Sequence, residues 1–457
     1  MKKNVVVVIL TAILSIMIIV VLGVVIYNKV FNTEAIFKRG VDVVYDNASK
    51  LLSNQIIPEY DYEKDIVNVQ SNFTYEPSED IKTLMGVNDL ENLKLTIDAT
   101  TDYANQNSLA KITYQENNSR LLDLALQMDT QAMYIDLQDI FSQILMTKLP
   151  DDYQVTYNEM IESMQTSKDY NKDMLELLDI TRGIVKDQID KKYITKEDVA
   201  VTINNVNYNV TKNKYTLEGE DLYNTFLQIF NSMNENDRIN EILTKHNLGT
   251  MQDLITSLES SKNDITQNKL IISLYGQGGL TPVGIELNIN DDLTIQYLNI
   301  KDNYYFKYET PSTNENIVLE GLKNSDGQIN LTYSLNEEDM ATITYQENAQ
   351  NKKIGIESMD KKSNLQIEYN KENENQELQI AGLLEEVDLG TLTITVAPSK
   401  VDSLTSEIDT SNAIDIESLT EEQQLELQLN LMEKLQDSKL LIAINNLSTS
   451  LDSGFTK

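Results

Sequence analysis

Val283-Gly-Ile-Glu-Leu-Asn-Ile-Asn290 and Ile329-Asn-Leu-Thr-Tyr-Ser-Leu335 decide the fold class of this chain. In each, apolar residues at every second position oppose polar ones, which is the period of a half-buried β-strand. The scheme continues through Leu365, Ile367 and Tyr369, then through Leu392, Ile394 and Val396. Asn290-Asp-Asp, Asn324-Ser-Asp-Gly and Asp360-Lys-Lys-Ser punctuate it as turns. Short strands with one wet face each predict an antiparallel meander from Leu270 to Val396. Upstream, Leu93, Leu95, Ile97 and Ala99 alternate with Lys94, Thr96, Asp98 and Thr100, and Leu122, Leu124, Leu126 and Met128 repeat the pattern.

Between these stretches the period becomes helical. Met174, Leu175, Leu178, Ile184 and Val185 mark one helix; Leu222, Phe226 and Ile229 mark another. Ile239, Ile242 and Leu243, then Leu254, Ile255 and Leu258, mark two more. A hairpin, Val199–Ile203 with Val206–Leu217, lies between the first two. A two-sheet sandwich would alternate in the same way, so the helices decide. A helical block over 156–265 needs an apolar partner, and one sheet face supplies it. The expected class is α+β. After Pro398 the chain turns acidic, then helical from Ser418, with Glu421 three residues on as a capping box requires. Leu425, Leu427, Leu429, Leu431, Met432 and Leu435 give this C-terminal helix a wide apolar arc, expected to bury on the same sheet.

The N-terminus carries a different signal. An uncharged run from Val5 to Tyr27 would make a helix of roughly 34 Å, enough to cross a hydrocarbon core of about 30 Å. Its exit has no Ala-x-Ala pattern and the chain has no cysteine for a lipobox, so an uncleaved signal anchor is expected. Lys2 and Lys3 precede the run, and Lys29, Lys38 and Arg39 follow it, a near balance for orientation. The net charge of −35 breaks the tie, because so acidic a domain is repelled by the anionic cytoplasmic leaflet. The expected placement is a single pass through the cell membrane, N-terminus cytoplasmic and bulk outside. Beyond it, Val30, Phe37, Val41, Val44, Ala48 and Leu51 share one helical face. Docking of this stalk on the chain's own domain is favoured over a homodimer seam, although the spacing is also that of a heptad. The expected organisation is an anchor (1–28), a stalk (29–58), a first β unit (59–150), a helical block with a hairpin (151–268), a second β unit (269–400), and an acidic linker with a helix (401–457).

Ile-Thr-Tyr-Gln-Glu-Asn occurs twice, from Ile112 to Asn117 and from Ile343 to Asn348, 231 residues apart. Met128-Asp129 and Met359-Asp360 recur at the same offset. Two readings stay open: duplicated β units around the helical block, which the matching lengths favour, or meander strands shaped alike by a biased composition.

Signals for chemistry are absent. With 72 acidic against 37 basic residues, the chain lacks the basic footprint of a nucleic-acid binder. The lone histidine, His246, precedes Gly249 and reads as the end of a helix. Without cysteine it cannot complete the usual zinc ligand sets. Gly276-Gln-Gly-Gly-Leu reads as a hairpin loop, and Asn324-Ser-Asp-Gly has Leu322 where a calcium loop would place its first acidic ligand. We therefore expect no catalytic residue, no cofactor and no metal.

The Val5–Tyr27 span, the strand Ala132-Met-Tyr-Ile-Asp-Leu leading into helices, the Val199–Leu217 hairpin and the leucine-rich C-terminal helix together resemble a family of uncharacterised single-pass membrane proteins of low-GC Gram-positive bacteria. More loosely, the plan resembles the lipoprotein- and lipid-carrier bowls of bacterial envelopes, in fold alone. Two functions are expected on these grounds. One is a non-enzymatic, membrane-anchored cell-envelope protein that binds or scaffolds another envelope protein through its acidic ectodomain. The other is a tethered binder or sensor of a lipid or other amphiphile held between sheet and helices.

Overall fold

The computed structural model describes residues 33–53, 64–138, 140–150, 170, 172–246, 248–277, 282–372, 374–404, 408–436, 438–443 and 446. The Val5–Tyr27 run lies outside them. Among the described residues no helix is long and apolar enough to cross a membrane. The first elements are α1 (Thr33–Ser53), β1 (Ile66–Glu76), α2 (Glu79–Met85), β2 (Leu93–Asp102), β3 (Asn107–Glu116), β4 (Ser119–Met128), β5 (Ala132–Asp136) and β6 (Leu145–Lys148). Next come α3 (172–187), β7 (Ile194–Ile203), β8 (Val206–Glu218), α4 (Gly219–Asn234), α5 (Asp237–Lys245), α6 (Met251–Ser260) and α7 (Lys262–Ile265). The strands β9 (Lys269–Gly276), β10 (Pro282–Ile289), β11 (Leu293–Ile300), β12 (Asn303–Thr310), β13 (Glu315–Lys323) and β14 (Ile329–Leu335) follow. Then come β15 (Glu338–Glu347), β16 (Asn351–Ser358), β17 (Asn364–Glu372), β18 (Asn375–Leu384), β19 (Val387–Val401), β20 (Ile414–Asp415), α8 (Glu421–Leu435) and α9 (439–443). The class is α+β with a largely antiparallel sheet.

The chain divides into two compact units. The first holds the described residues of 33–53 and 170–343, the second those of 64–150 and 344–446. In the first unit β7 to β14 pair in chain order, each antiparallel to the next. The turns between β7 and β8, β10 and β11, and β11 and β12 hold two consecutive residues at positive φ: Asn204-Asn205, Asn290-Asp291 and Lys301-Asp302. That is the type I′ geometry whose twist suits a hairpin, and Asn and Asp bear it with little strain. Helices α4 to α7 cover one face of this sheet. Leu222, Phe230, Ile239, Met251 and Ile255 share a buried core with Tyr215, Leu217, Leu274, Ile285 and Leu287. α5 illustrates how the sequence specifies a helix: Asn236 caps it by accepting from the Arg238 and Ile239 amides, and Ile239 and Ile242, three apart, are both fully buried. Each contributes about 2–3 kcal/mol of burial. α1 belongs to the same unit, with Phe37 in this core and Gly40 packed on the Leu274 side chain. Arg182 and Lys186 of α3 both reach the Asp42 carboxylate of α1 at 2.8 Å.

In the second unit the strand order is β16, β17, β18, β19, β1, β2, β3, β4, β5, β6, all antiparallel neighbours. β20 adds a short parallel pairing to β6. The β19–β1 pairing joins segments more than 300 residues apart in sequence, with Ile66 opposite Val401 and Glu76 opposite Thr391. Beside it Gly390, at φ +81, sits where a Cβ would lie 2.2 Å from the Glu76 carbonyl oxygen, so only glycine lets the two segments approach.

Two expectations about the C-terminus are corrected. The capping box belongs to Thr420 and Gln423, because Ser418 ends a 3₁₀ turn that Asp415 caps. α8 also fails to bury its apolar arc: none of its residues is buried, and Leu425, Leu429 and Met432 are each more than half exposed. Its polar residues hold it instead, Asn430 donating to the Ile140 carbonyl and Gln423 to Gln143.

Candidate functional site

The register of the second unit aligns one apolar side chain per strand on a single face. One row runs Ile354, Ile367, Ile380, Leu392, Tyr75 and Leu93 across β16 to β19, β1 and β2. The adjacent row runs Tyr369, Leu378, Ile394, Phe73, Leu95, Tyr114 and Leu122 across β17 to β19 and β1 to β4. With neighbouring strands about 4.8 Å apart, seven strands make a stripe roughly 29 Å long. The opposite face is polar. There Asn68 donates to Asp98 (2.6 Å) and Thr100 (2.9 Å), Thr96 to Asn72 (3.0 Å), and Asn72 to Thr395 (3.2 Å).

In the first unit helices bury such a face at Leu274, Ile285, Leu287 and Ile295, while Phe306, Leu319 and Tyr333 of β12 to β14 lie half-buried. In the second, no member of either row is buried; Ile354 is exposed and the others lie half-buried. Among the described residues, Leu93 alone of these rows packs on a buried core cluster. A continuous apolar strip of this length that stays only half-buried is a candidate interaction face.

One end of the stripe is closed. Val87 and Leu90, after α2, pack with Ala443 of α9, and Met85, Leu93 and Ile442 flank them. Glu116 fastens this closure. Its carboxylate accepts from the Ser438 hydroxyl (2.7 Å), the Lys439 amide (2.7 Å), the Leu440 amide (3.1 Å) and the Tyr114 hydroxyl (2.7 Å). Burial works to raise its pKa, but these donors outweigh that and hold it below the usual carboxylate value. Burial and the adjacent Glu116 push the Tyr114 phenol up, so it stays a donor.

The repeated hexapeptide contributes to this face. In the second copy Tyr345 donates to Glu347 at 2.5 Å, as Tyr114 does to Glu116. The copies then diverge. Glu347 is exposed and pairs with Lys352 at 3.0 Å. Asn117 is at φ +50 and ties the 89–92 segment, accepting from the Glu91 amide (2.7 Å) and donating to the Asp89 carbonyl (2.7 Å). Asn348 instead closes its own turn, accepting from the Gln350 (2.9 Å) and Asn351 (2.8 Å) amides. Ile112 pairs with Ile97 and Leu124 across the sheet. Ile343 lies half-buried in β15. Val5 and Tyr27 lie outside the described residues.

Two polar constellations in the first unit escaped sequence reading. His246 does cap the C-terminus of α5, with Gly249 at φ +87 beyond it, but its ring is buried. Nε2 lies 2.9 Å from the Asp173 carboxylate, and Tyr170 meets the ring edge-on at 5.0 Å. Burial would raise the Asp173 pKa, yet hydrogen bonds from Lys245 and His246 and the charges of Lys245 and Arg238 hold it low. On the sheet surface opposite the helices, Glu286 accepts from Lys212 (2.7 Å) and Tyr275 (2.5 Å), with the Gln296 amide at 3.2 Å. Burial and the Glu286 charge push the Tyr275 phenol far up, so it remains protonated. In both clusters the carboxylates face cations, an arrangement that supports the fold through ion pairs. Among the described residues, no three His, Asp or Glu side chains converge as a metal ion would require. No protein-family model matches this chain, and no curated protein or solved structure is significantly similar to it.

Proposed function

We propose that this chain is a non-enzymatic cell-envelope protein, anchored through residues 5–27, whose second unit binds an amphiphile along its apolar sheet face. The half-buried double row from Ile354 to Leu122 carries this reading. Acyl chains need a long, continuous, weakly directional apolar track, and two adjacent rows of Ile, Leu, Phe and Tyr provide one. No reacting group is needed for such binding. A tether confines such a protein to one membrane face, which suits sensing or local handover rather than diffusion.

The test uses the full-length protein in detergent with a photoactivatable fatty acid, followed by peptide mapping of the label. Labelled peptides from β17, β19 and β1 are expected, and the Ile367→Asp/Ile394→Asp double variant should lose them. Label confined to residues 5–27 would sink the reading. A second reading, docking of an envelope protein, is favoured by the exposed Leu425, Leu429 and Met432 of α8, which share a helical face. Under that reading Leu425→Ser/Leu429→Ser abolishes a partner cross-link while the fatty-acid label persists.

A further inference from the structure

We propose that the amphiphile is an anionic one, whose phosphate-bearing headgroup is held by Lys352 and Lys371 at the open end of the apolar stripe. This rests on the amphiphile reading above and adds a headgroup class and a direction to it.

The two ends of the stripe are chemically unlike. The end at Leu93 and Tyr114 is sealed by Val87, Leu90 and Ala443, and its carboxylate, Glu116, is fully engaged by donors. The ammonium of Lys439, whose amide Glu116 accepts, is engaged by Asp89 at 2.8 Å. At the far end, on β16 and β17, register places Lys352 directly opposite Tyr369, and Lys371 is two residues further on the same face. Diagonal neighbours of this kind lie about 7–8 Å apart at the backbone, a span that two long ammonium side chains converge across onto one phosphate. Gln376 is directly opposite Lys371 and adds an amide donor to the same corner. Tyr369 begins the second apolar row, so the cationic corner and the acyl track are continuous.

The competing charge is Glu347, which pairs with Lys352 at 3.0 Å while both side chains are about half exposed. Such a solvated pair is weakly held, and a doubly charged phosphate that engages two lysines displaces it. Lys400 on β19 shares this face but lies six residues beyond Ile394, away from the corner, and is engaged by Asp65 at 2.6 Å. Against a chain of net charge −35, a corner with two lysines facing the stripe stands out as the place where an anion is tolerated.

The experiment compares two photoactivatable amphiphiles with the same acyl chain, a lysolipid with a phosphate monoester headgroup and a monoacylglycerol without phosphate, on the full-length protein in detergent. The phosphate probe should label peptides of β17 and β19 at roughly tenfold lower concentration, the difference expected for one net charge-assisted contact. Lys352→Gln/Lys371→Gln should remove that preference and leave monoacylglycerol labelling unchanged. Glu347→Gln should strengthen phosphate labelling. Equal labelling by the two probes would overturn the headgroup assignment and leave the amphiphile reading standing. Absence of label from the sheet with either probe would overturn both.

Discussion

Replacing Glu116 by Gln isolates the bond set that seals the stripe. The wild-type carboxylate accepts four donors, three of them from residues 438–440. The described residues of α9 are 439–443 and 446, and Glu116 receives the amides of its first turn. Glutamine keeps one oxygen and turns an N–H toward a donor amide, so at least one charge-assisted bond is lost and the rest lose their charge. At about 1.5–3 kcal/mol for a hydrogen bond to a charged group, the expected loss is about 2–4 kcal/mol. It falls on the local docking of α9 rather than on the whole unit. Amide hydrogen exchange reads it directly: protection at residues 439–443 should drop about 30- to 700-fold, from 1.4 kcal/mol per decade. The pH dependence has a definite sign. The folded pKa of Glu116 is lowered, so its contribution is complete above the unfolded value of about 4.3 and fades as pH falls through the folded value. Wild-type protection should therefore decay in acid while that of Glu116→Gln stays flat. Protection at 439–443 within threefold of wild type at neutral pH would refute the argument.

Three further outcomes are expected. Ile239→Ala, at a fully buried position, should cost about 2–5 kcal/mol in urea unfolding, because the helices around it close the cavity only partly. Gly390→Ala should lower the melting temperature of the second unit by a loss of about 2–4 kcal/mol, since its new methyl meets the backbone of Glu76, Pro77 and Ser78 at a positive φ. Asp42→Asn should destabilise the first unit by about 1.5–3 kcal/mol by removing the charge that Lys186 and Arg182 share, Arg182 keeping Asp46 at 3.0 Å. Burial opposes ionisation of Asp42, but those two cations hold its pKa below the ordinary value. The deficit of the variant should be full at neutral pH and shrink as pH falls through the lowered pKa.

The strands were legible because a half-wet sheet must alternate, and Val283–Asn290 and Ile329–Leu335 do so without interruption. The Val199–Leu217 hairpin was legible for the same reason, although its Asn204-Asn205 turn carries no glycine. The α8 cap was displaced by two residues because Ser418 and Thr420 both satisfy the local rule and only the preceding 3₁₀ turn separates them. The candidate site was not legible. Alternation reports that Ile367, Ile394 and Phe73 share a face type, but not that β19 lies beside β1 or that the row they form stays half-buried.

The sequence by itself determined the elements, since periodicity and caps act within a few residues. It also determined the acidic surface and the apolar run at Val5–Tyr27. Tertiary structure alone decided the rest. It set Glu116 beneath the N-terminus of a helix 322 residues away, and buried His246 against Asp173. It also aligned Lys352 and Lys371 at one end of an apolar track. These arrangements come from helix packing and strand register, where each side chain's partner is fixed by the tertiary fold rather than by its immediate neighbours in the chain.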